Sequence, residues 1–363
     1  MNYIVISAYV IKTLSLICGA KEVRGMNKFL RLLSDPKFRF SVLAAKGFYK
    51  TMPDEEVYKK SYQLSYGKKP DLKHPQGFNE KLMWLKLHDR KPLYTTLVDK
   101  YAVRRYIADK VGEEYLIPLL GGPWESADEI DFDALPNQFV LKCTHDSGSV
   151  IVCRDKSRFD IEDARRRLSR RLKRNYYYGN REWPYKDVPP RIIAEEFICQ
   201  GSLSDTAAVE ASCISPYTLQ AKSGIIDYKF MCFNGQPKIL YLQIGAIDSS
   251  GHSASEKSGR YFRNLYDADF NILPLKDSVE NYPIEIMKPD NFALMRQIAE
   301  ILSAGFPFIR VDMYNVNGEI KIGELTLYPG SGLSNFFDPP EWDGIFGSWI
   351  KLPEEQQAAL SSL

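Results

Sequence analysis

The chain has 363 residues, of which 44% are hydrophobic, 26% charged and 13% aromatic. This composition excludes a largely disordered chain, a collagen and a long coiled coil, and the length predicts two or three domains. The 48 Lys and Arg residues nearly balance the 46 Asp and Glu residues, which argues against a dedicated nucleic-acid-binding protein. Six cysteines without a C-x-x-C pair predict reduced thiols and a cytoplasmic protein.

The N-terminal 20 residues are apolar apart from Lys12 and a few small polar side chains. They lack a basic region before the apolar run and an A-x-A cleavage site, so a secretory signal is not expected. Lys12 near the centre disfavours a membrane-spanning helix. Because Met26 opens a plausible amphipathic helix, we expect an over-long start or a loosely held leader, with peripheral contact at the inner membrane face as the alternative.

Helices followed by a short strand are predicted in the first third of the chain. Residues 27–50 are expected to be helical, and residues 68–77 form a connection rich in Pro, Gly and Lys. Apolar residues at helical spacing predict a helix that starts at Phe78 and another from Val98 to about Val111. Residues 117–120 are expected to form a strand.

Two short buried strands, residues 139–143 and 150–153, flank a loop of small and polar residues, THDSGS. Lys142 ends the first strand just before this loop, whose backbone N–H groups are suited to phosphate oxygens. The loop is not a Walker A motif, because Lys142 precedes it and Gly148 is its only glycine.

A strongly basic helix follows, in which seven of the ten residues 165–174 are Arg or Lys. Ile161, Ala164, Leu168 and Leu172 fall on one apolar stripe, so the basic side is either a solvated face or a wall that attracts acidic carbohydrate, phosphate or lipid headgroups. The aromatic segment 175–185 favours carbohydrate as the ligand, and the overall charge balance disfavours nucleic acid.

The β pattern becomes denser toward the C-terminus. A strand at 192–198 ends in acids, and the Asn234-Gly235 pair predicts a hairpin. The remaining predicted elements are strands at 227–233 and 238–242, a helix at 290–304, and strands at 309–314 and 319–325.

Asp312 and Glu324 form a candidate magnesium site on the last two strands. Strand alternation sends Arg310, Asp312 and Tyr314 away from the core, and Mg²⁺ prefers a few protein oxygens completed by water and phosphate. A two-residue turn at Asn317-Gly318 would put the two acids on opposite faces. The metal hypothesis therefore requires an odd-membered loop or a β-bulge.

Several stretches, FNEKLMWLKLHDRKPLY, REWPYK, RIIAEEF and FPFIRVDMYNVNGEI, together with the ordered motifs above, resemble the ATP-grasp superfamily and its teichuronopeptide-biosynthesis (TupA-like) branch. The resemblance implies an α+β ATP-grasp fold in which two α+β subdomains clasp ATP after a small, mostly helical N-terminal region. The expected ranges are 1–60 (leader and helices), 61–130 (pre-grasp region), 131–200 (lid subdomain), 201–352 (C-terminal subdomain with the magnesium site) and 353–363 (tail).

The resemblance also implies roles for individual residues. Arg310 would neutralise an acyl-phosphate and its tetrahedral intermediate, and Thr326 stands where the family usually has an Asn metal ligand. The residues implied to bind ATP are Lys100, Lys142, the loop residues His145, Ser147, Gly148 and Ser149, the hinge Glu195, Glu196, Phe197 and Ile198, and Lys229. Asp312 and Glu324 would hold one or two Mg²⁺ ions, and Ser331 and Gly332 belong to a turn that closes the site.

Two arginines, Arg181 and Arg263, are candidate clamps for a substrate carboxylate, because a guanidinium group offers a bidentate fork. The resemblance implies a carboxylate–amine ligase that joins an amino acid or other small-molecule amine to an acidic sugar or polysaccharide. This reaction would belong to surface or capsular polysaccharide biosynthesis. The alternatives are a glycosyltransferase that uses Asp267 and Asp269 as a D-x-D motif, a sugar or polyol kinase on the same fold, and a non-catalytic binding scaffold.

Overall fold

A computed structural model describes residues 30–198, 213–214, 226–245, 261–276, 279–333 and 337–353. The expectations for the N-terminal leader and for residues 354–363 lie outside the described residues. The chain divides into two compact units, one formed by residues 30–70 with Tyr178–Arg181 and the other by the rest of the described chain.

No helix in the described ranges is long and apolar enough to cross a membrane.

The helices agree with most of the predicted ones, with one difference at Asp99. The helix predicted from Val98 to Val111 begins instead at Val103, because Val98 ends the preceding short helix and the Asp99 carboxylate accepts hydrogen bonds from the N–H groups of Tyr101 (2.9 Å) and Ala102 (3.3 Å). The helices are α1 (Pro36–Ala45), α2 (Asp54–Tyr66), α3 (Phe78–His88), α4 (Leu93–Val98), α5 (Val103–Val111), α6 (Ile161–Leu172), α7 (Tyr177–Asn180), α8 (Phe292–Ser303) and α9 (Trp342–Trp349).

The strands form antiparallel sheets of four and five strands and a short parallel pair. The four-stranded sheet has the order β1-β4-β2-β3, the five-stranded sheet the order β11-β10-β6-β7-β8, and β5 pairs with β9. The strands are β1 (Leu119–Trp124), β2 (Phe139–Cys143), β3 (Ile151–Cys153), β4 (Ile192–Glu196), β5 (Cys213–Ile214), β6 (Ile226–Phe233), β7 (Gln236–Ile244), β8 (Phe262–Asp267), β9 (Glu285–Ile286), β10 (Phe308–Val316) and β11 (Glu319–Thr326).

The first unit contains α1 and α2. The Asp35 side chain caps α1 by accepting the N–H of Phe38 at 2.8 Å, and α2 ends at Gly67, whose φ of 71° favours glycine. Arg181 is buried here, where its guanidinium donates to the carbonyl oxygens of Tyr49 and Met52.

In the second unit, one face of the four-stranded sheet is buried in a hydrophobic core, and the opposite face lines the cavity described below. Phe139 and Leu141 of β2 pack with Ala164 and Leu168 of α6, as the apolar stripe of the basic helix predicts. Strand alternation places Lys142 on the opposite face, with β4 as its neighbour.

The five-stranded sheet likewise has one face in the core and one face toward the cavity. Val311 and Met313 of β10 are buried on the face that α8 covers, where the rings of Phe230 and Phe292 lie 5.8 Å apart. Arg310 and Asp312 therefore project from the opposite face, as the alternation in the sequence predicts.

One extra residue in β11 sets the position of Glu324. Asn317 and Gly318 form a two-residue turn with φ of 53° and 88°, and pairing is regular until Met313 faces Ile322. The next pair is Asp312 with Glu324, which leaves Gly323 as a bulge. The bulge places Asp312 and Glu324 on the same face, as the metal hypothesis requires.

Candidate active site

A cavity of about 200 Å³ lies between the polar faces of the two sheets in the second unit. Its position puts residues from distant parts of the sequence around one space. The lining includes these residues predicted from the sequence: Lys100, Lys142, Ser147, Gly148, Glu196, Phe197, Ile198, Lys229, Asp312 and Glu324.

The Asp312 carboxylate is held by two cations. Arg310 donates to it through Nε and Nη2 at 2.6 and 2.7 Å, and Lys229 Nζ lies 2.8 Å from Oδ2. Burial by itself would raise the pKa of Asp312, but the positive charges of Arg310 and Lys229 outweigh it and hold that pKa below the ordinary value. Asp312 is therefore an anion at neutral pH, although it is buried.

Glu324, half-buried beside Asp312, differs in its surroundings. Within the described ranges, no group hydrogen bonds or ion-pairs with its carboxylate. Burial by itself would lower the pKa of Arg310, but nearby negative charges raise it above the ordinary value. Asp312 has the largest raising effect, and Glu324 also contributes. The cavity thus contains a carboxylate that is not neutralised by a direct contact.

Asp227 and Tyr314 also line this cavity, and neither is among the site residues predicted from the sequence. Asp227 lies two residues before Lys229 on β6 and is opposite Tyr314 of β10. Burial raises the pKa of Asp227 despite the charge of Lys229, 3.6 Å away. The two-residue spacing from Lys229 was the available signal, because alternate residues of a strand share a face.

Lys142 of β2 forms an ion pair with Glu195 of the neighbouring strand β4. Its Nζ lies 2.5 Å from Glu195 Oε2, and Arg104 Nη1 lies 3.1 Å from Oε1. Both carboxylate oxygens of Glu195 are therefore engaged by cations in this structure, whereas the family resemblance implies that Glu195 binds ATP. Its neighbours Glu196, Phe197 and Ile198 line the cavity.

The loop after β2 turns some of its predicted residues inward. Lys100 Nζ donates to the carbonyl oxygen of Asp146, which joins this lysine to the loop. The Ser149 hydroxyl accepts the N–H of Cys143 at 3.0 Å, and buried His145 contacts the carbonyl oxygen of Arg171 through Nε2 at 3.2 Å. Ser147 and Gly148 are the loop residues that line the cavity among those predicted.

Thr326, opposite Arg310 on β11, holds that arginine in place. Its hydroxyl accepts a hydrogen bond from Arg310 Nη2 at 3.1 Å. The contact gives Thr326 an orienting role in this structure, while its predicted ligation of a second metal ion stays a prediction.

The two predicted carboxylate clamps have different positions. Arg181 belongs to the first unit, where it is 2% exposed and its Nε lies 3.8 Å from Asp54, so its hydrogen bonds stabilise that unit. Arg263 lies on β8, on the same face as Asp227, with Gln243 of β7 between them in the row. Arg263 is thus placed at the far edge of the sheet face that holds the cavity residues.

Ser331 is buried in the turn Pro329–Gly332, where its φ is 60°. Its hydroxyl donates to Glu182 at 2.5 Å, and its carbonyl oxygen accepts from Lys86 at 2.9 Å. Burial raises the pKa of Glu182, although Lys86 and the Ser331 hydroxyl oppose the rise. Gly332 follows with φ of 70°, and an added Cβ would lie 3.3 Å from Leu82. Neither Ser331 nor Gly332 lines the cavity.

The Asp267-Ala268-Asp269 sequence forms a turn at the end of β8. The Asp267 carboxylate accepts hydrogen bonds from the N–H groups of Asp269 (2.9 Å) and Asn271 (2.8 Å) and from the Asn271 amide (2.9 Å). These contacts give Asp267 a structural role in its own turn. The glycosyltransferase alternative therefore gains no support from the position of Asp267.

The residues in the cavity match the needs of a magnesium nucleotide. Asp312 and Glu324 offer two carboxylates on one face, and Mg²⁺ is usually bound by one or two carboxylates with water and phosphate oxygens. In the described ranges no group of three or more His, Cys, Asp and Glu side chains is arranged to hold a metal by itself. Asp312 and Glu324 thus suit a cation whose other ligands are water and phosphate oxygens.

A family model described as TupA-like ATP-grasp matches residues 80–351. The chain belongs to the TupA-like ATP-grasp family. This assignment confirms the resemblance seen in the sequence and the expected α+β ATP-grasp fold. A comparison with curated proteins found no match.

Solved structures similar to this ATP-grasp chain include several ligases. D-cycloserine synthetase is 13% identical, with 74% of this chain and 71% of that chain covered and a TM-score of 0.37. D-alanine–D-alanine ligase from Helicobacter pylori is 14% identical, with 77% and 70% covered and a TM-score of 0.36. The ATP-grasp ligase PsnB, in a complex with minimal precursor, Mg and ADP, is 10% identical, with 69% and 57% covered and a TM-score of 0.31. Likenesses at this level assign no substrate or activity to this chain.

The contacts of Glu195 predict a large effect on stability. Glu195→Ala would leave Lys142 and Arg104 without their shared carboxylate, and breaking a buried ion pair costs about 3–5 kcal/mol. We expect a loss of this order in the free energy of unfolding, measured by urea denaturation. The control is Glu196→Ala, which removes an exposed carboxylate from the next residue and should change stability by less than about 0.5 kcal/mol. Equal losses in the two variants would contradict the ion-pair assignment.

Proposed function

We propose that this protein is an ATP-dependent carboxylate–amine ligase. The observation that supports the proposal most is the arrangement on β10 and β11, where Asp312, Glu324 and Arg310 project together from one sheet face. Two acids can hold a magnesium nucleotide, and a guanidinium beside them can stabilise negative charge during phosphoryl transfer. Membership of the ATP-grasp family makes ATP the natural nucleotide.

In this proposal the cavity binds ATP between the two sheets. Phe197 and Ile198 would contact the adenine, while Lys100 and Lys142 would bind its phosphates. Ser147 and Gly148 lie at the same cavity and would support the phosphate chain through the loop. Mg²⁺ at Asp312 and Glu324 would neutralise phosphate charge when it is bound.

The reaction then needs two bond changes. A carboxylate oxygen of the substrate attacks the terminal phosphorus of ATP, the bond to the bridging oxygen breaks, and an acyl-phosphate and ADP are formed. The unprotonated amine attacks the acyl carbon, the carbon–oxygen bond to phosphate breaks, and the amide is left with loss of one proton from nitrogen. In this proposal Arg310, which donates to Asp312 and Thr326, would stabilise the negative charge that accumulates in both steps.

For the substrates, we propose a uronic acid as the carboxylate and an amino acid or another small amine as the nucleophile, in surface polysaccharide biosynthesis. The support is the TupA-like character of the sequence and the basic helix α6 on the four-stranded sheet. Arg263 on β8 is a further candidate for contact with the substrate carboxylate, because it lies on the sheet face that includes Asp227.

The test of the proposal is to incubate the protein with ATP, Mg²⁺, an amino-acid pool and uronic-acid acceptors whose carboxylates contain ¹⁸O. We expect mass spectrometry to detect ADP, an amide, and inorganic phosphate with one ¹⁸O atom, because the attacking carboxylate oxygen leaves with phosphate. Formation of ADP with a phosphorylated sugar would instead indicate a kinase. In a parallel incubation with a sugar nucleotide in place of ATP, release of the nucleoside diphosphate would indicate a glycosyltransferase.

Lys142 and Arg310 are predicted to act at different stages. Lys142→Ala should weaken ATP binding and slow the reaction, because this lysine contacts the bound nucleotide before the reaction begins. Arg310→Ala should lower kcat by about 10²–10³-fold with a much smaller change in the ATP dissociation constant, since its charge is needed mainly in the transition state. The measurements are ATP binding by calorimetry and single-turnover rates for both variants.

Arg105→Ala is the control for this pair, because Arg105 is exposed on α5 and pairs with Asp109 outside the cavity. If Arg310→Ala weakens ATP binding as much as Lys142→Ala, with no additional loss of rate, Arg310 is a nucleotide-positioning residue and the proposed division of roles is wrong.

A further inference from the structure

A second cavity, of about 230 Å³, lies beside the loop that follows β2. Four arginines of the basic segment line it, Arg167, Arg170, Arg171 and Arg174, together with Gly148 and Ser149 of the loop. We call this space the arginine pocket. Gly148 lines both this pocket and the candidate active site, so the loop separates the two cavities.

Helix geometry explains why these arginines meet. Arg167, Arg170 and Arg171 follow the i, i+3, i+4 pattern, which places their side chains on one side of α6. Arg174 follows just after the helix, where its N–H donates to the carbonyl oxygen of Arg171 at 2.9 Å. Buried Leu168 holds α6 against its sheet, and Arg165 donates to the carbonyl oxygen of Ile130 at 3.0 Å. The pocket is therefore part of a packed element.

The positive charge of the arginine pocket is only partly neutralised. Arg167 lies 3.7 Å from Asp163, and Arg171 lies 3.4 Å from Asp146 and donates to the Gly148 carbonyl oxygen at 3.0 Å. Across the described ranges, no acidic side chain lies within 4.0 Å of the charged groups of Arg170 or Arg174. Two guanidinium groups thus remain to attract a negatively charged ligand.

The side chains that line the arginine pocket indicate which class of ligand it can bind. Among the described residues, no aromatic ring lines the pocket, and two rings of the segment predicted to stack on a ligand, Tyr177 and Tyr185, are buried in the core. Single-stranded nucleic acid binds largely by stacking of bases on aromatic rings, so this pocket lacks its main contact. Guanidinium forks without rings favour carboxylate or phosphate groups.

We infer that the arginine pocket binds carboxylate groups of an acidic saccharide. The choice of carboxylate over phosphate rests on the proposed function, in which a uronic acid is the acceptor. A saccharide chain with several uronates would place one residue against Arg170 and Arg174 while another part of the chain remains available to the active site across the loop. The pocket thereby extends recognition beyond the sugar that reacts.

The test measures binding without ATP or turnover. The probes are tri-galacturonate, its methyl ester, which has the same sugar rings without charge, and inorganic phosphate, each titrated by calorimetry at low and high salt. We expect tri-galacturonate to bind, the ester and phosphate to bind much more weakly, and the affinity for tri-galacturonate to fall as salt increases.

The decisive variant is Arg170→Gln combined with Arg174→Gln, and the control is Arg105→Gln combined with Arg158→Gln, which removes equal charge outside the pocket. The pocket variant should weaken tri-galacturonate binding by about tenfold or more, the loss expected for one charge-assisted hydrogen bond, and the control should not. ATP affinity should be unchanged in both variants.

Three results would overturn the inference: no binding of tri-galacturonate, equal binding of the ester or of phosphate, or equal weakening by the two double variants. These outcomes are separate from the proposed function. Uronate binding that depends on Arg170 and Arg174, in a protein that forms no amide, would contradict the ligase alone. Amide formation with no effect of the pocket variant on binding would contradict the pocket alone.

Discussion

The extra residue Gly323 in β11 determines which face of the sheet Glu324 occupies. With regular pairing from the Asn317-Gly318 turn, Asp312 would face Gly323 and Glu324 would point to the core. The bulge moves the pairing by one residue, so that Asp312 and Glu324 are opposite each other. An added Cβ at Gly323 would lie 2.8 Å from the Tyr314 ring, which lines the cavity, so the small residue also fits the crowded space beside the bulge.

Around this carboxylate pair, the cavity walls differ in how their charges are satisfied. On the five-stranded sheet, Arg310 and Lys229 compensate Asp312, and Glu324 is left as an additional negative charge. On the four-stranded sheet, Lys142 is paired with Glu195. Such paired charges are held in fixed positions before a ligand arrives, and this preorganisation is how an enzyme stabilises developing charge at low cost. Binding of a magnesium nucleotide would exchange some of these internal contacts for contacts to phosphate.

Much of the local structure could be predicted from the sequence, because strand alternation and turn residues are local signals. The start of α3 at Phe78, the apolar stripe of α6 and the hairpin at Asn234-Gly235 are confirmed. Contacts between strands that are distant in the sequence have no such signal, so the pairing of Lys142 with Glu195 could not be predicted, and Glu195 is expected from the resemblance to bind ATP. The bulge at Gly323 was recognised as a requirement but could not be located, since glycine occurs in strands for several reasons.

In the proposed function, the bulge allows Glu324 to bind a magnesium nucleotide together with Asp312. The most direct measurement is calorimetric titration of ATP in Mg²⁺ and in EDTA, for the natural sequence, Glu324→Gln, and Glu319→Gln as an exposed control on the same strand. We expect Mg²⁺ to strengthen ATP binding in the natural sequence and in the control, and Glu324→Gln to lose most of this gain. An equal gain from Mg²⁺ in Glu324→Gln would contradict this role of Glu324.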